Sequence, residues 1–438
     1  MLKKRRFSSA CPPKTQFVAS RWFFAVILFI FLTELARTVA LPSHFQRDIH
    51  MSKLYSRRLA SPLLLTLLLV LQAPASHADS ASTTTVAPAS VTGASEEVAL
   101  AARIDSEIAP LFKANEPGAT VIVTQAGLTV FRKAYGMADV AKGLPMTPDT
   151  VMRIASISKQ FTATGILMLA DEGKLALGDD IRKFLPDYPS GGKRITIEHL
   201  LTHTSGIANF TNKPTFEAGM NTDQTVSQMI DSFKNDALQF EPGTRYAYSN
   251  SGYFLLGAII EKVSGLSYAK FVEQRIFVPL GMHDSAYEGH ERGSAMRAKG
   301  YTRSSAGSGF EPGKAVSMTL PYAAGALVST VDDLARWDAA VSAGTLLKPS
   351  SQQKAFTAHV LADGKSVPYG YGWSVRKMRG MPMQSHGGGI PGFSTYALRL
   401  PEKQLYVAVL TNADRGLPGA EMIAVKAATI AVGNGFPE

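Results

Sequence analysis

A serine hydroxyl becomes a useful nucleophile only when a neighbour can take its proton, and a lysine three residues further along a helix is one such neighbour. The sequence contains five Ser-x-x-Lys matches, beginning at Ser156, Ser190, Ser267, Ser351 and Ser374. Their surroundings separate them. Ser190 sits in a Pro-Ser-Gly-Gly turn, and Ser374 lies in a strand pattern that sends residues three apart to opposite faces. Ser267 reads as the N-cap of a helix over Tyr268–Phe277, and Ser351 as a helix start with no chemistry near it. Ser156 opens a helix that runs through Lys159 and Phe161 to Ile166, Leu167 and Leu169, so Ser156 and Lys159 share one face of its first turn. The helix N-terminus adds backbone N–H groups and a favourable dipole. A lone motif of this kind marks a cap more often than a nucleophile.

Two further motifs change that weighting. Tyr248-Ser249-Asn250 is the only Tyr-x-Asn in the chain, and His386-Gly387-Gly388-Gly389 follows in a strand-like context. A phenol can shuttle a proton, a carboxamide can orient a substrate amide, and glycines leave backbone N–H groups approachable. Other chemistries fit less well. His199 and His203 stand four apart and could share a helix face, but Leu200 occupies the position where zinc peptidases need a glutamate, and no third ligand is evident. Gly387, Gly389 and Gly392 satisfy G-x-G-x-x-G, yet Pro391 interrupts the segment and a strand follows, so the dinucleotide reading is rejected. No G-x-S-x-G elbow occurs. Neither a metal nor a cofactor is expected.

These residues need elements to hold them. Helical spacing of Val98, Ala101, Ile104, Ile108 and Leu111 predicts a helix over Glu97–Asn115. Strands are expected at Ala119–Gln125 and Leu128–Tyr135 around an Ala126-Gly127 turn. From Ser156 to about Ser285 the pattern is mainly helical. Gly370–Lys377, Met383–His386, Ser394–Leu400 and Gln404–Thr411 then read as strands, before a last helix near Ala420–Val432. The expectation is an α+β fold: an antiparallel sheet flanked by helices, built from both termini, with a mainly helical subdomain inserted over about 156–285.

The chain has 438 residues, 45% of them hydrophobic, and a formal charge of +10. That charge is concentrated at the start. Residues 1–78 hold 11 Lys and Arg against 2 acids, whereas 79–438 hold 34 against 33, which leaves nothing basic to grip nucleic acid. Cys11, the single cysteine, is also in the leading segment, so disulfides and cysteine nucleophiles are excluded from the body. Lys53, Arg57 and Arg58, the apolar stretch Pro62–Leu71 and the small residues of Ala75-Ser76-His77-Ala78 form a complete signal-peptide pattern. Residues 1–50 are accordingly read as an extension upstream of a start at Met51, 51–78 as signal peptide, 79–96 as flexible linker and 97–438 as the folded domain. The apolar run Trp22–Leu32 is 11 residues long, short of the ~20 a membrane-spanning helix needs. Export to the periplasm or the exterior is expected, with membrane contact only if the N-terminal segment is retained.

Taken in order, Ser156-x-x-Lys159, Tyr248-x-Asn250 and His386-Gly387 resemble the three motifs of the serine β-lactamase and penicillin-binding-protein superfamily. The resemblance spans roughly Glu97 to the C-terminus. It includes Leu200-Leu201-Thr202-His203-Thr204-Ser205-Gly206 and Gly325–Thr330, which look like framework segments of the class C branch and its esterase and D-peptidase relatives. The resemblance implies an acyl-enzyme on Ser156, with Lys159 and Tyr248 moving protons and the choice of base left open between them. It further implies that Asn250 orients the substrate amide, that the N–H groups of Ser156 and Gly389 form an oxyanion hole, and that His386 and Gly387 meet the substrate. His386-Gly387 replaces the Lys-Thr pair that grips a carboxylate in most β-lactamases. Uncharged esters, short amides and D-peptides are therefore favoured over β-lactams, with a small acyl compound or a peptidoglycan fragment as the partner. The rival expectation is a catalytically idle cell-wall or penicillin-binding receptor that keeps the cleft.

Overall fold

The computed structural model describes residues 91–437, except Arg292 and Ser294. The expected extension, the signal peptide, Cys11 and the linker as far as residue 90 lie outside the described residues. Helix α1 (Val91–Ile108) continues into a 3-10 turn over Ala109–Leu111. It starts six residues earlier than the spacing suggested, which corrects the linker's expected end at residue 96. Gly93 costs a helix about 1 kcal/mol and does not stop it, whereas Pro110 tightens and ends the far side.

Strands β1 (Ala119–Gln125) and β2 (Leu128–Tyr135) form a hairpin with the expected bounds. Ala126 and Gly127 both take positive φ, 50° and 81°, the geometry that matches the twist of a two-residue turn. At the other end of the chain lie β3 (Ser374–Met378), β4 (Met381–Ile390), β5 (Phe393–Leu400) and β6 (Leu405–Thr411). The sheet order is β3-β4-β5-β6-β1-β2, antiparallel throughout. Ala119 pairs with Thr411 and Gln125 with Leu405, so the first and last strands of the chain meet in mid-sheet.

Both sheet faces are covered, which explains why β6 is an unbroken apolar run rather than an alternating one. Val121, Val123, Val407 and Val409 pack with Ile104 and Ile108 of α1 and with Ile423 and Ala427 of the final helix. Ile122, Tyr406, Ala408 and Leu410 face the opposite core. That second core holds α2 (Ser158–Asp171), α3 (Ile197–Leu201), α4 (Asn250–Ser264), α5 (Tyr268–Val272) and α6 (Val331–Ala343), while α7 (Ala420–Val432) closes the first. The α+β architecture matches the expectation. The helical region is not confined to 156–285, because α6 lies beyond it and packs on β6 and β1. A small antiparallel sheet of Met152–Arg153, Leu327–Ser329 and Ala286–Tyr287 joins the two parts. Among the described residues, no helix is long and apolar enough to cross a membrane.

Candidate active site

Ser156 sits in a 3-10 turn, Ala155–Ile157, that leads directly into α2. Ala155 has φ +46°, a left-handed conformation that costs a non-glycine residue roughly 1–2 kcal/mol and therefore needs bracing. The brace is the sheet. Thr395 of β5 donates to the Ile154 carbonyl at 3.0 Å, and β4 presses against the turn at Gly388. A Cβ at Gly388 would lie 2.6 Å from that carbonyl oxygen and 3.0 Å from the Ala155 Cβ, so only glycine permits the approach.

Lys159, the second residue of α2, is fully buried. Its Nζ lies 3.1 Å from Ser156 Oγ, 2.8 Å from Asn250 Oδ1 and 2.7 Å from the Ala324 carbonyl. It also stands 4.9 Å from the Tyr248 ring centre and 5.5 Å from that of Tyr253. Among the described residues no carboxylate pairs with it, and burial holds its pKa well below 10.5. The Asn250 and Ala324 oxygens can only accept hydrogen bonds. In the neutral amine these two oxygens would take both N–H groups and leave the lone pair for the Ser156 hydroxyl.

Asn250 opens α4 and is held from both sides. Its N–H donates to Asn209 Oδ1 at 3.1 Å, and its Nδ2 donates to Thr211 Oγ1 at 3.3 Å. Two residues earlier, the Tyr248 phenol is hydrogen-bonded with Ser156; burial raises its pKa above 10 while that bond draws it back. Tyr248 thus keeps its proton across the physiological range. Ser156, Lys159, Tyr248 and Asn250, chosen from sequence, converge on one point.

His386 and Gly387 do not join them as expected. His386 is 6% exposed, its Nδ1 donates to the Gly387 carbonyl at 2.7 Å and its Nε2 accepts from the Tyr369 hydroxyl at 2.9 Å. Both ring nitrogens are occupied. Burial and the nearby Lys159 push its pKa down to about 3, so the ring is neutral and offers the cleft no charge and no free donor. At Gly387 a Cβ would point at the Tyr396 ring, 3.3 Å away, on the opposite sheet face from Gly388. The expected substrate contacts of these two residues are therefore corrected: they are wall, not lining. Gly389 does line the cavity beside Ser156, and a Cβ there would meet open space.

That cavity has a volume of about 210 Å³. Phe210, Phe216, Met220, Val316, Pro321 and Ile390 give it apolar walls, and among the described residues no charged side chain lines it. The other Ser-x-x-Lys serines have structural duties. Ser267 caps α5 by accepting from the Lys270 N–H at 3.3 Å, and Ser351 donates to Asp171 at 2.6 Å. Ser374 lies in β3, and Ser190 is buried in its turn. The helix face suggested for His199 and His203 is absent, because α3 ends at Leu201 and His203 turns out with φ +59°. His199 instead completes a capping box with Thr196. Among the described residues no cluster of three or more His, Cys, Asp or Glu could hold a metal.

Sequence reading missed the Ala324 carbonyl, because a backbone acceptor leaves no side-chain signature. It also missed Tyr369 and the walls supplied by Phe216 and Val316. The aromatic-glycine run Tyr369–Trp373 was the available signal for the first of these.

The Beta-lactamase family model matches residues 101–431. The chain belongs to that family, and with it to the β-lactamase-related serine hydrolases. A penicillin-binding protein of Bacillus subtilis (strain 168) is 32% identical over 313 residues, which covers 67% of each chain. The D-aminopeptidase of Gluconobacter oxydans (strain 621H) is 31% identical over 303 residues, 68% of this chain and 56% of that one. The chain thus spans between 56% and 67% of the length of these curated relatives. The crystal structure of D-amino acid amidase from Ochrobactrum anthropi SV3 superposes with a TM-score of 0.63 at 26% identity, over 75% of this chain and 98% of that one.

Proposed function

We propose that the protein is an exported serine hydrolase that cleaves esters and amides lacking a free carboxylate, D-amino acid amides and C-terminally blocked short D-peptides among them, through an acyl-enzyme on Ser156. The observation that carries this reading is the buried Lys159 amine, 3.1 Å from Ser156 Oγ with no carboxylate beside it among the described residues. An amine whose pKa is pushed down by burial takes up and gives back a proton closer to neutrality than an exposed lysine does. In the proposed reaction Ser156 Oγ attacks the substrate carbonyl carbon and its proton passes to Lys159 Nζ. The resulting oxyanion is received by the N–H groups of Ser156 and Gly389, each such donor contributing about 3 kcal/mol in other hydrolases. The carbonyl–leaving-group bond then breaks as the Tyr248 phenol protonates the leaving atom, and Lys159 returns a proton to Tyr248 through their shared contact with Ser156. Water repeats the sequence on the ester, releasing the acid and restoring Ser156.

The substrate class is supported by the cavity, which is small, apolar and without a cation for a carboxylate. The names of the D-aminopeptidase and D-amino acid amidase relatives point the same way. A peptidoglycan peptide ending in a free carboxylate fits this lining poorly. Export is supported by the Met51–Ala78 signal pattern, with the mature chain beginning at Asp79 and the catalytic domain following the linker.

Labelling by a fluorophosphonate followed by peptide mass analysis should place the adduct on Ser156. A panel of nitrophenyl esters, D- and L-amino acid anilides and a cephalosporin should rank esters and D-anilides first. Labelling of Ser156 with no turnover of any ester or anilide would favour the idle receptor. Efficient cephalosporin hydrolysis would remove the preference for substrates without a free carboxylate. N-terminal sequencing of protein secreted from a native host checks export, and an uncut chain retained in the cytoplasm would sink that part alone.

A further inference from the structure

One residue grips the Tyr248 loop from both sides. The His203 carbonyl accepts from the N–H of Ala247 at 2.9 Å, and His203 Nδ1 accepts from the N–H of Ser249 at 3.1 Å. Between these bonds its ring lies over Tyr248, with centres 4.3 Å apart and planes inclined by 34°. The same ring is boxed by Tyr253 at 5.0 Å, Tyr369 at 4.7 Å and Tyr246 at 6.0 Å. His203 is 1% exposed and adopts φ +59°, a left-handed conformation uncommon for any residue but glycine, although asparagine, aspartate and histidine take it more readily than the rest. Its Nε2 is buried without a hydrogen-bond partner among the described residues. A strained backbone and an unused donor are both retained where the acceptor at Nδ1 and the carbonyl are used.

We infer that His203 is a positioning residue for the reaction, holding the phenol of Tyr248 against Ser156 through the bonds it accepts on either side of that tyrosine. This rests on the reading of Tyr248 given above. Because Nδ1 must accept from a backbone N–H, only the neutral ring tautomer with the proton on Nε2 serves. Burial, Lys159 and His386 hold the ring neutral by keeping its pKa well below 6.5. The titratable groups facing it are Tyr246, Tyr248, Tyr253, Tyr369, Lys159 and His386. The four tyrosines are raised by burial, so none of them charges the box near neutral pH.

Two substitutions separate acceptor from ring. Asparagine places an oxygen where Nδ1 stands and tolerates φ near +60°, whereas phenylalanine keeps the ring and removes the acceptor. His203→Phe should lower kcat by roughly 10- to 100-fold with KM within about threefold, as a misplaced catalytic group does. His203→Asn should keep kcat within about fivefold of wild type. In a Tyr248→Phe background, His203→Phe should change kcat by less than about twofold, because residues acting through one another are not additive. A folded His203→Phe with wild-type kcat, the same loss in His203→Asn, or an undiminished effect in the Tyr248→Phe background would each overturn the inference. If His203→Phe does not fold, His203→Asn decides: kcat within about fivefold supports it, and a larger loss in a folded protein overturns it. Wild-type kcat in Tyr248→Phe alone would overturn the reading of Tyr248 as well, and so is told apart from a failure of His203.

Discussion

Two buried cations in this chain have opposite uses. Lys159 meets neutral oxygens and aromatic faces, while Arg399, in β5, lies 3.0 Å from the carboxylate of Asp338 in α6. Arg399 also donates to Ser342 at 2.6 Å and stands 5.2 Å from the Phe356 ring centre. Burial lowers the pKa of both cations. An arginine cannot shed its proton within any working range, so its burial has to be answered by a countercharge, and the pair becomes a strut between helix and sheet. A lysine can shed its proton, and burial without a carboxylate turns it into a base. Countercharge, more than depth, separates structure from chemistry here.

The largest effect expected from breaking that contrast is on turnover. Lys159→Arg keeps a positive charge that cannot leave, and should lower kcat by about 10⁴-fold or more, as Ser156→Ala should. Stopped assays with a nitrophenyl ester measure both, and near-normal kcat in Lys159→Arg would show that a proton-accepting amine is not required. On the other side, Asp338→Ala leaves Arg399 buried without its countercharge. It should cost about 3–5 kcal/mol in urea unfolding while kcat stays within about threefold. A stability loss below ~1 kcal/mol would mean that the pair is no strut.

The pH dependence sharpens the same point. Because the folded state holds Lys159 below its ordinary pKa, the unfolded chain binds more protons between the two values, and stability rises with pH across that window. Lys159→Met should flatten the rise, seen by comparing urea midpoints of the two proteins at about pH 7 and 9.5. The acidic limb of kcat/KM should follow protonation of the same amine. If wild type and Lys159→Met keep parallel stability curves, the depressed pKa is wrong. The smallest effect belongs to a Ser-x-x-Lys serine outside the site. Ser267→Ala should lose only the cap of α5, about 1 kcal/mol in thermal unfolding, with labelling and kcat untouched.

Elements dictated by their own residues were legible in the sequence. β1 and β2 follow their apolar runs and turn, and α7 has the bounds its periodicity predicts. Ser156, Lys159, Tyr248 and Asn250 could be chosen because each carries its chemistry in its side chain. What stayed illegible depends on partners distant in the chain. β4 was expected over Met383–His386, yet it runs to Ile390 because Gly387, Gly388 and Gly389 pair with Tyr396, Thr395 and Ser394 of β5. His386 looked like a substrate contact until Tyr369 occupied its second nitrogen. The Ala324 carbonyl is contributed by backbone alone, and no reading of side chains could have singled it out.

The pairing of Ala119 with Thr411 has a kinetic consequence. During synthesis the first hairpin, complete at Tyr135, leaves the ribosome well before β6, its neighbour in the sheet, which begins only at Leu405, and a two-stranded hairpin alone is marginally stable in water. Closing so long a loop is slow, and its entropy is lost before any contact repays it. The hairpin therefore waits, unpaired along one edge, until nearly the whole chain has been made. A polypeptide that completes its sheet last can be threaded through a narrow pore in the meantime, and it depends on whatever shields that open strand from other chains.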